Sequence, residues 1–180
     1  VKRTLQIALG VFFFAIAAHA EKTLDVYWVD VEGGAATLIV TPAGQSILID
    51  TGNPGTRDAG RIHEVATKQA KLKKIDFLIT THFHGDHYGG AATLAQLMPI
   101  GVVNDNGIPA RNPDRNRQDP AFVLKVKPYR NMKVDGRVVV KPGHRLPLIQ
   151  VTGAVPVSLT IVAANRKFIA PPKGAKKNTI

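Results

Sequence analysis

None of the 180 residues is a cysteine, which removes both disulfides and thiolate metal ligands from consideration. No internal repeat and no glycine-rich nucleotide-binding motif occurs in the chain. The apolar run from Leu5 to Ala18 is shorter than the about 20 residues that a membrane-spanning helix needs. Acidic residues are few, 13 against 24 Lys and Arg, for a formal charge of +11. The shortage is uneven: residues 1–105 carry 9 Lys/Arg and 10 Asp/Glu, whereas residues 106–180 carry 15 and 3. A basic half attracts phosphates or an anionic surface, nucleic acid included, or else is simply solvated.

What is present suffices for one core, since 44% of the residues are apolar. Lys2-Arg3, the following apolar run and Ala18-His19-Ala20 have the charged, apolar and small-residue order of a secretory signal, with cleavage after Ala20. Residues 1–20 are thus expected to direct export to the periplasm or medium, the alternative being an uncleaved anchor. Residues 21–170 are expected to form the domain. Residues 171–180, rich in Pro, Gly and Lys, are expected to be a disordered tail or a domain's cut edge.

Alternation and turn residues predict strands over 24–31, 36–41 and 46–49, antiparallel because their connections are short. A helix is expected over 56–72, with His63 on its surface, then a buried strand over 75–80, a helix over 91–98 and a strand over 100–103. Asn106 to Gln118 reads as a long loop whose Arg111, Arg115 and Arg117 could meet an anionic group. A helix from Pro120 should end at Pro128, with strands over 137–141 and 159–163.

The chemistry concentrates directly after the fourth strand, in His82-Phe83-His84-Gly85-Asp86-His87. Three of the six histidines and a carboxylate fall within six residues. Imidazole nitrogens and a carboxylate oxygen hold Zn(II) and also suit Fe(II) or Mn(II). Side chains alternate along extended backbone, so His82 and His84 can face one way. Asp50 at the end of the third strand is either a turn former or a carboxylate beneath the histidines. Tyr88 reads as packing.

The block His82, His84, Asp86 and His87 resembles the metal-binding motif of the metallo-β-lactamase superfamily. Ile47-Leu48-Ile49-Asp50-Thr51-Gly52 matches an upstream landmark of that family, and Val29 to Ile39 is similar to secreted competence-protein-like members. The resemblance implies an α/β fold, a four-layer αββα sandwich that would be incomplete here. It implies that His82 and His84 serve one metal and Asp86 and His87 a second, with one or two zinc ions and Asp86 orienting a catalytic hydroxide. It implies Asp50 as an orienting carboxylate rather than a ligand. The family's later ligands have no clear counterpart: His144 is the one histidine after His87, and no later Gly-Asp pair follows. Two readings stand: an exported metal-dependent hydrolase of an ester, amide or phosphodiester, or a non-catalytic metal- or nucleic-acid-binding module or inactive fragment.

Overall fold

The computed structural model describes residues 23–112, 121–171 and 173–174. The signal-like segment, Arg115, Arg117 and most of the expected tail lie outside the described residues. Six strands form one mixed sheet in the order β1 (Asp25–Trp28), β2 (Thr37–Val40), β3 (Ser46–Ile49), β4 (Ile75–Thr80), β5 (Ile100–Asp105) and β6 (Gly136–Val139). The first three are antiparallel, as their tight turns require, whereas β3 to β6 run parallel through helical crossovers. A two-residue ribbon of β7 (Ala163–Ala164) and β8 (Lys167–Phe168) stands apart.

Alternation divides the sheet residues between two apolar layers. Leu38, Leu48, Leu78 and Val103 face α1 (Thr56–Glu64), α3 (Ala91–Leu97) and α4 (Phe122–Asn131), which contribute Ala59, Ile62, Leu94, Val126 and Tyr129. Ile47, Phe77 and Ile79 face the other way, under Leu146 with Leu148 and Leu159. The described residues thus supply one large sheet with a helical layer on one face and irregular chain on the other. At the outer edge, β1 leaves Trp28 81% exposed.

Several elements depart from the pattern-based expectation. The helix expected over 56–72 ends at Glu64 and opens into a π-helical turn, Val65–Gln69. The wider turn lets Leu72 N–H reach the carbonyl of Ala66 at 2.8 Å and brings Leu72 against the core. α4 does not stop at Pro128 but runs on to Asn131. The carbonyl that Pro128 leaves unpaired belongs to Leu124, which is 70% exposed, so water can satisfy it. The strand expected over 159–163 reduces to a bridge between Arg145 and Thr160 and the start of β7. β3 and β4 have the expected limits, where apolar runs are bounded sharply by turn residues and lysines.

Two buried or half-buried carboxylates tie these elements together. Asp58 in the first turn of α1 accepts from Asn53 N–H at 2.7 Å and from Arg57 Nε at 2.6 Å. Burial pulls its pKa up, but Arg57 and the two Asn53 donors outweigh burial and hold it below the ordinary aspartate value. Asp76 joins β4 to β3 through Ser46 N–H at 2.9 Å and pairs with Lys74 at 2.8 Å. Burial again raises its pKa, and Lys74 with Ser46 bring it below the ordinary value.

A depressed folded-state pKa gives stability that is complete above the unfolded value, about 4, and lost as pH falls through the folded value. Urea midpoints followed by far-UV circular dichroism should therefore fall below about pH 4, and Asp58→Asn should flatten part of that dependence. An equal midpoint at pH 3 and pH 6 would contradict it. Leu48 is fully buried at the sheet centre. Leu48→Ala should cost about 2–5 kcal/mol in the same titration.

Candidate metal centre

At the end of β4 the chain stays extended through His84, with φ −87° and ψ 146°, then makes a single helical turn, α2 (Gly85–Tyr88). The extended stretch sends Phe83 to one side and His82 with His84 to the other. Phe83, 4% exposed, packs against Tyr88 at 5.6 Å and Tyr129 at 5.4 Å between ring centroids. Three aromatic rings therefore anchor the loop from its inner side. The Tyr129 hydroxyl donates to Asp105 Oδ2 at 2.9 Å and lies 3.0 Å from Thr80 Oγ1. Burial first, and then the neighbouring Asp105 charge, push that hydroxyl's pKa up. A cavity of about 420 Å³ lies on this aromatic side, lined by Tyr88 and Tyr129 and by none of the three loop histidines.

The position of α2 is set by backbone bonds from two earlier turns. Thr51 N–H donates to the carbonyl of His87 at 2.7 Å, Gly89 N–H to that of Gly52 at 3.1 Å, and Ala35 N–H to that of Asp86 at 3.1 Å. Such close approach leaves no room for side chains. A Cβ on Gly89 would lie 2.2 Å from the carbonyl oxygen of Gly85, and one on Gly90 at the same distance from that of Thr51. The Gly89-Gly90 pair thus serves close packing.

On the outer side the rings of His82 and His84 lie 4.5 Å apart edge to face, and those of His82 and His87 lie 3.9 Å apart. His82 Nε2 and His84 Nδ1 face each other at 2.8 Å. Desolvation, then the neighbouring charges of His87 and His84, lower the pKa of His82 against the pull of Asp50 and Asp86. His87 Nε2 lies 3.7 Å from Asp86 Oδ2, and the Asp86 side chain is 40% exposed. His82 thus touches both His84 and His87, and Asp86 stands beside His87. Among the described residues, no group of three or more His, Cys, Asp or Glu is arranged to hold an ion.

The donors nonetheless suit a divalent ion. Two nitrogens bound to one tetrahedral zinc at about 2.0–2.1 Å lie about 3.3 Å apart, so the facing pair needs to open by only about half an ångström. His82 and His84 would hold one ion by these nitrogens, and Asp86 with His87 a second, each pair requiring further donors.

Asp50 lies directly beneath. It is 2% exposed with φ 60°, a left-handed conformation that aspartate tolerates at the end of a strand. Its Oδ1 accepts from Thr81 N–H at 2.8 Å, and its Oδ2 contacts Thr81 Oγ1 at 2.6 Å and His87 Nδ1 at 2.8 Å. Thr81 Oγ1 is in turn 3.0 Å from His82 Nδ1. Thr81 and Phe83 escaped the sequence reading because a threonine and a phenylalanine between histidines carry no donor pattern of their own. His144 closes a turn through its N–H to the carbonyl of Lys141 at 3.0 Å and bonds to Ile161 through its own carbonyl. The structure does not bring it into any three-donor group. Arg111 is exposed.

Comparison with known proteins finds relatives in sequence. A "UPF0173 metal-dependent hydrolase" of Cupriavidus metallidurans is 37% identical over 94 residues, 51% of this chain and 29% of that protein. An "Atrochrysone carboxyl ACP thioesterase" of Passalora fulva is 31% identical over 62% of this chain and 31% of its own length. The chain spans under a third of the length of these curated relatives. A solved structure, the metallo-β-lactamase FIM-1 from Pseudomonas aeruginosa in its mono-zinc form, overlays with a TM-score of 0.38. That overlay has 20% identity and covers 71% of this chain and 57% of the other. The model of the metallo-beta-lactamase superfamily matches residues 29–170, which take in the strand-end aspartate and the whole histidine loop, and the chain belongs to that superfamily.

Proposed function

We propose that this chain is an exported metal-dependent hydrolase of the metallo-β-lactamase fold acting on an ester, amide or phosphodiester. The observation that carries the reading is the set of contacts among His82, His84, Asp86 and His87, backed by the buried Asp50. A bound divalent ion supplies a water of lowered pKa and polarises the group under attack. Zinc suits the imidazole-rich set, in one or two equivalents, and iron or manganese are the donor-compatible alternatives.

The chain's own residues then have distinct tasks. Asp50 accepts from His87 Nδ1 and so leaves Nε2 bare on the outer side. Asp86, part-exposed beside that nitrogen, is placed to orient a water and to take its proton. The Phe83, Tyr88 and Tyr129 rings keep the loop from shifting as donors open to admit an ion.

Export is part of the proposal and is supported by the sequence order of residues 2–20. Nucleic acid is the second reading, supported by the basic second half. On α4 the cations Lys125, Lys127 and Arg130 lie on the exposed side, opposite buried Phe122, Val126 and Tyr129. A phosphodiester substrate would unite the two readings.

The test is metal content of the purified full chain, then turnover of a generic phosphodiester and a chromogenic β-lactam. Bound zinc, loss of turnover with a chelator and its return on adding zinc are expected. His84→Ala should weaken zinc binding by at least about 10-fold and abolish turnover. Protein that purifies without metal, binds none when offered it and turns over neither substrate refutes the hydrolase reading. Salt-sensitive DNA binding in that case would favour the binding module.

A further inference from the structure

We infer that Thr81 is a positioning residue whose hydroxyl relays the Asp50 carboxylate to His82, fixing that ring's hydrogen on Nδ1 and baring Nε2. The inference rests on the loop's proposed role as a metal site.

The argument is a count of hydrogens. Three short contacts meet at Asp50 Oδ2 and Thr81 Oγ1: Oδ2 to Oγ1 at 2.6 Å, Oδ2 to His87 Nδ1 at 2.8 Å, and Oγ1 to His82 Nδ1 at 3.0 Å. A carboxylate only accepts, and a threonine hydroxyl has a single hydrogen to give. Were that hydrogen turned toward His82, two oxygens bearing lone pairs would face each other at 2.6 Å with nothing between them. The hydroxyl therefore donates to Asp50. Its oxygen is left to accept; His87 Nδ1 stands 3.5 Å away and already donates to Oδ2 at 2.8 Å, whereas His82 Nδ1 lies at 3.0 Å and must carry the hydrogen.

The same reasoning applies to His87, whose Nδ1 donates to Oδ2 without an intermediary. One buried carboxylate thus sets two imidazoles, His87 by contact and His82 through Thr81. Both rings then present a bare Nε2 outward: that of His82 accepts the hydrogen of His84 Nδ1 at 2.8 Å, which an incoming ion must displace, and that of His87 stands 3.7 Å from Asp86 Oδ2. A neutral imidazole ligates through its unprotonated nitrogen, so the relay pre-arranges the ligand-competent form before any ion arrives.

Thr81 is exposed, and its N–H bond to Asp50 Oδ1 does not need the side chain. Thr81→Val therefore removes the relay while leaving the turn intact, and Thr81→Ser restores it.

The full chain, freed of metal and labelled with nitrogen-15, is examined by long-range nitrogen–proton correlation of the histidine rings. Wild type should show His82 and His87 with hydrogen on Nδ1. Thr81→Val should release His82 toward the other form while His87 is unchanged, and Thr81→Ser should match wild type. Zinc titration should give Kd about 10–100-fold weaker for Thr81→Val and near wild type for Thr81→Ser. A wild-type spectrum with hydrogen on Nε2 of His82 overturns the inference outright, whether or not the variants fold. So does a Thr81→Val protein with unchanged His82 signals and unchanged zinc affinity. The ring spectra come from metal-free protein, so an absence of hydrolysis would not alter them and the two readings can fail separately.

Discussion

The Asp50 carboxylate is the point on which the loop's arrangement depends. It is almost wholly withdrawn from water, and it receives the backbone and hydroxyl of Thr81 together with an imidazole of α2. Removing a buried anion from solvent is costly unless every lone pair finds a donor. Here the donors come from the end of β4 and from the helical turn that follows, so satisfying Asp50 also fastens those segments to β3. The left-handed backbone of Asp50 is what turns its side chain under the neighbouring strand end. Structure and chemistry meet in one residue.

The sheet explains why this point lies where it does. β3 and β4 run parallel, so both end at the same rim, and Asp50 follows β3 as Thr81 follows β4. Ladder register places Ile49 beside Ile79, and Asp50 N–H continues it to the carbonyl of Ile79 at 2.9 Å. Polar groups leaving the last paired positions of adjacent parallel strands are brought together without a dedicated loop. In open α/β sheets ligands commonly lie off the carboxyl ends of strands, and this rim is such a place.

Much of this was legible in the chain. The limits of β3 and β4 follow from apolar runs with sharp borders, and the shared orientation of His82 and His84 follows from extended backbone. The Gly89-Gly90 contact follows from two residues without side chains. The misreadings have physical causes. Pro128 is expected to end its helix, but the residue whose carbonyl it leaves without a partner, Leu124, is 70% exposed, so the lost bond is open to water. The apolar stretch from Leu159 has strand composition but forms only a bridge, at Thr160 to Arg145, before β7. Thr81 could not be singled out, because a hydroxyl's role as a relay exists only once β3 lies beside β4. The same holds for the Tyr129 ring, nearly fifty positions along the chain from its partner Thr80.

The outer edge of the sheet has a practical consequence for anyone studying the molecule. The chain's sole indole, Trp28 on β1, is already bathed in solvent in the folded state. Its emission should be nearly water-like before and after denaturation, so tryptophan fluorescence is a poor gauge of unfolding. The same property makes it a sensitive one for anything that comes to rest on that edge, since covering β1 would shift the emission to shorter wavelength.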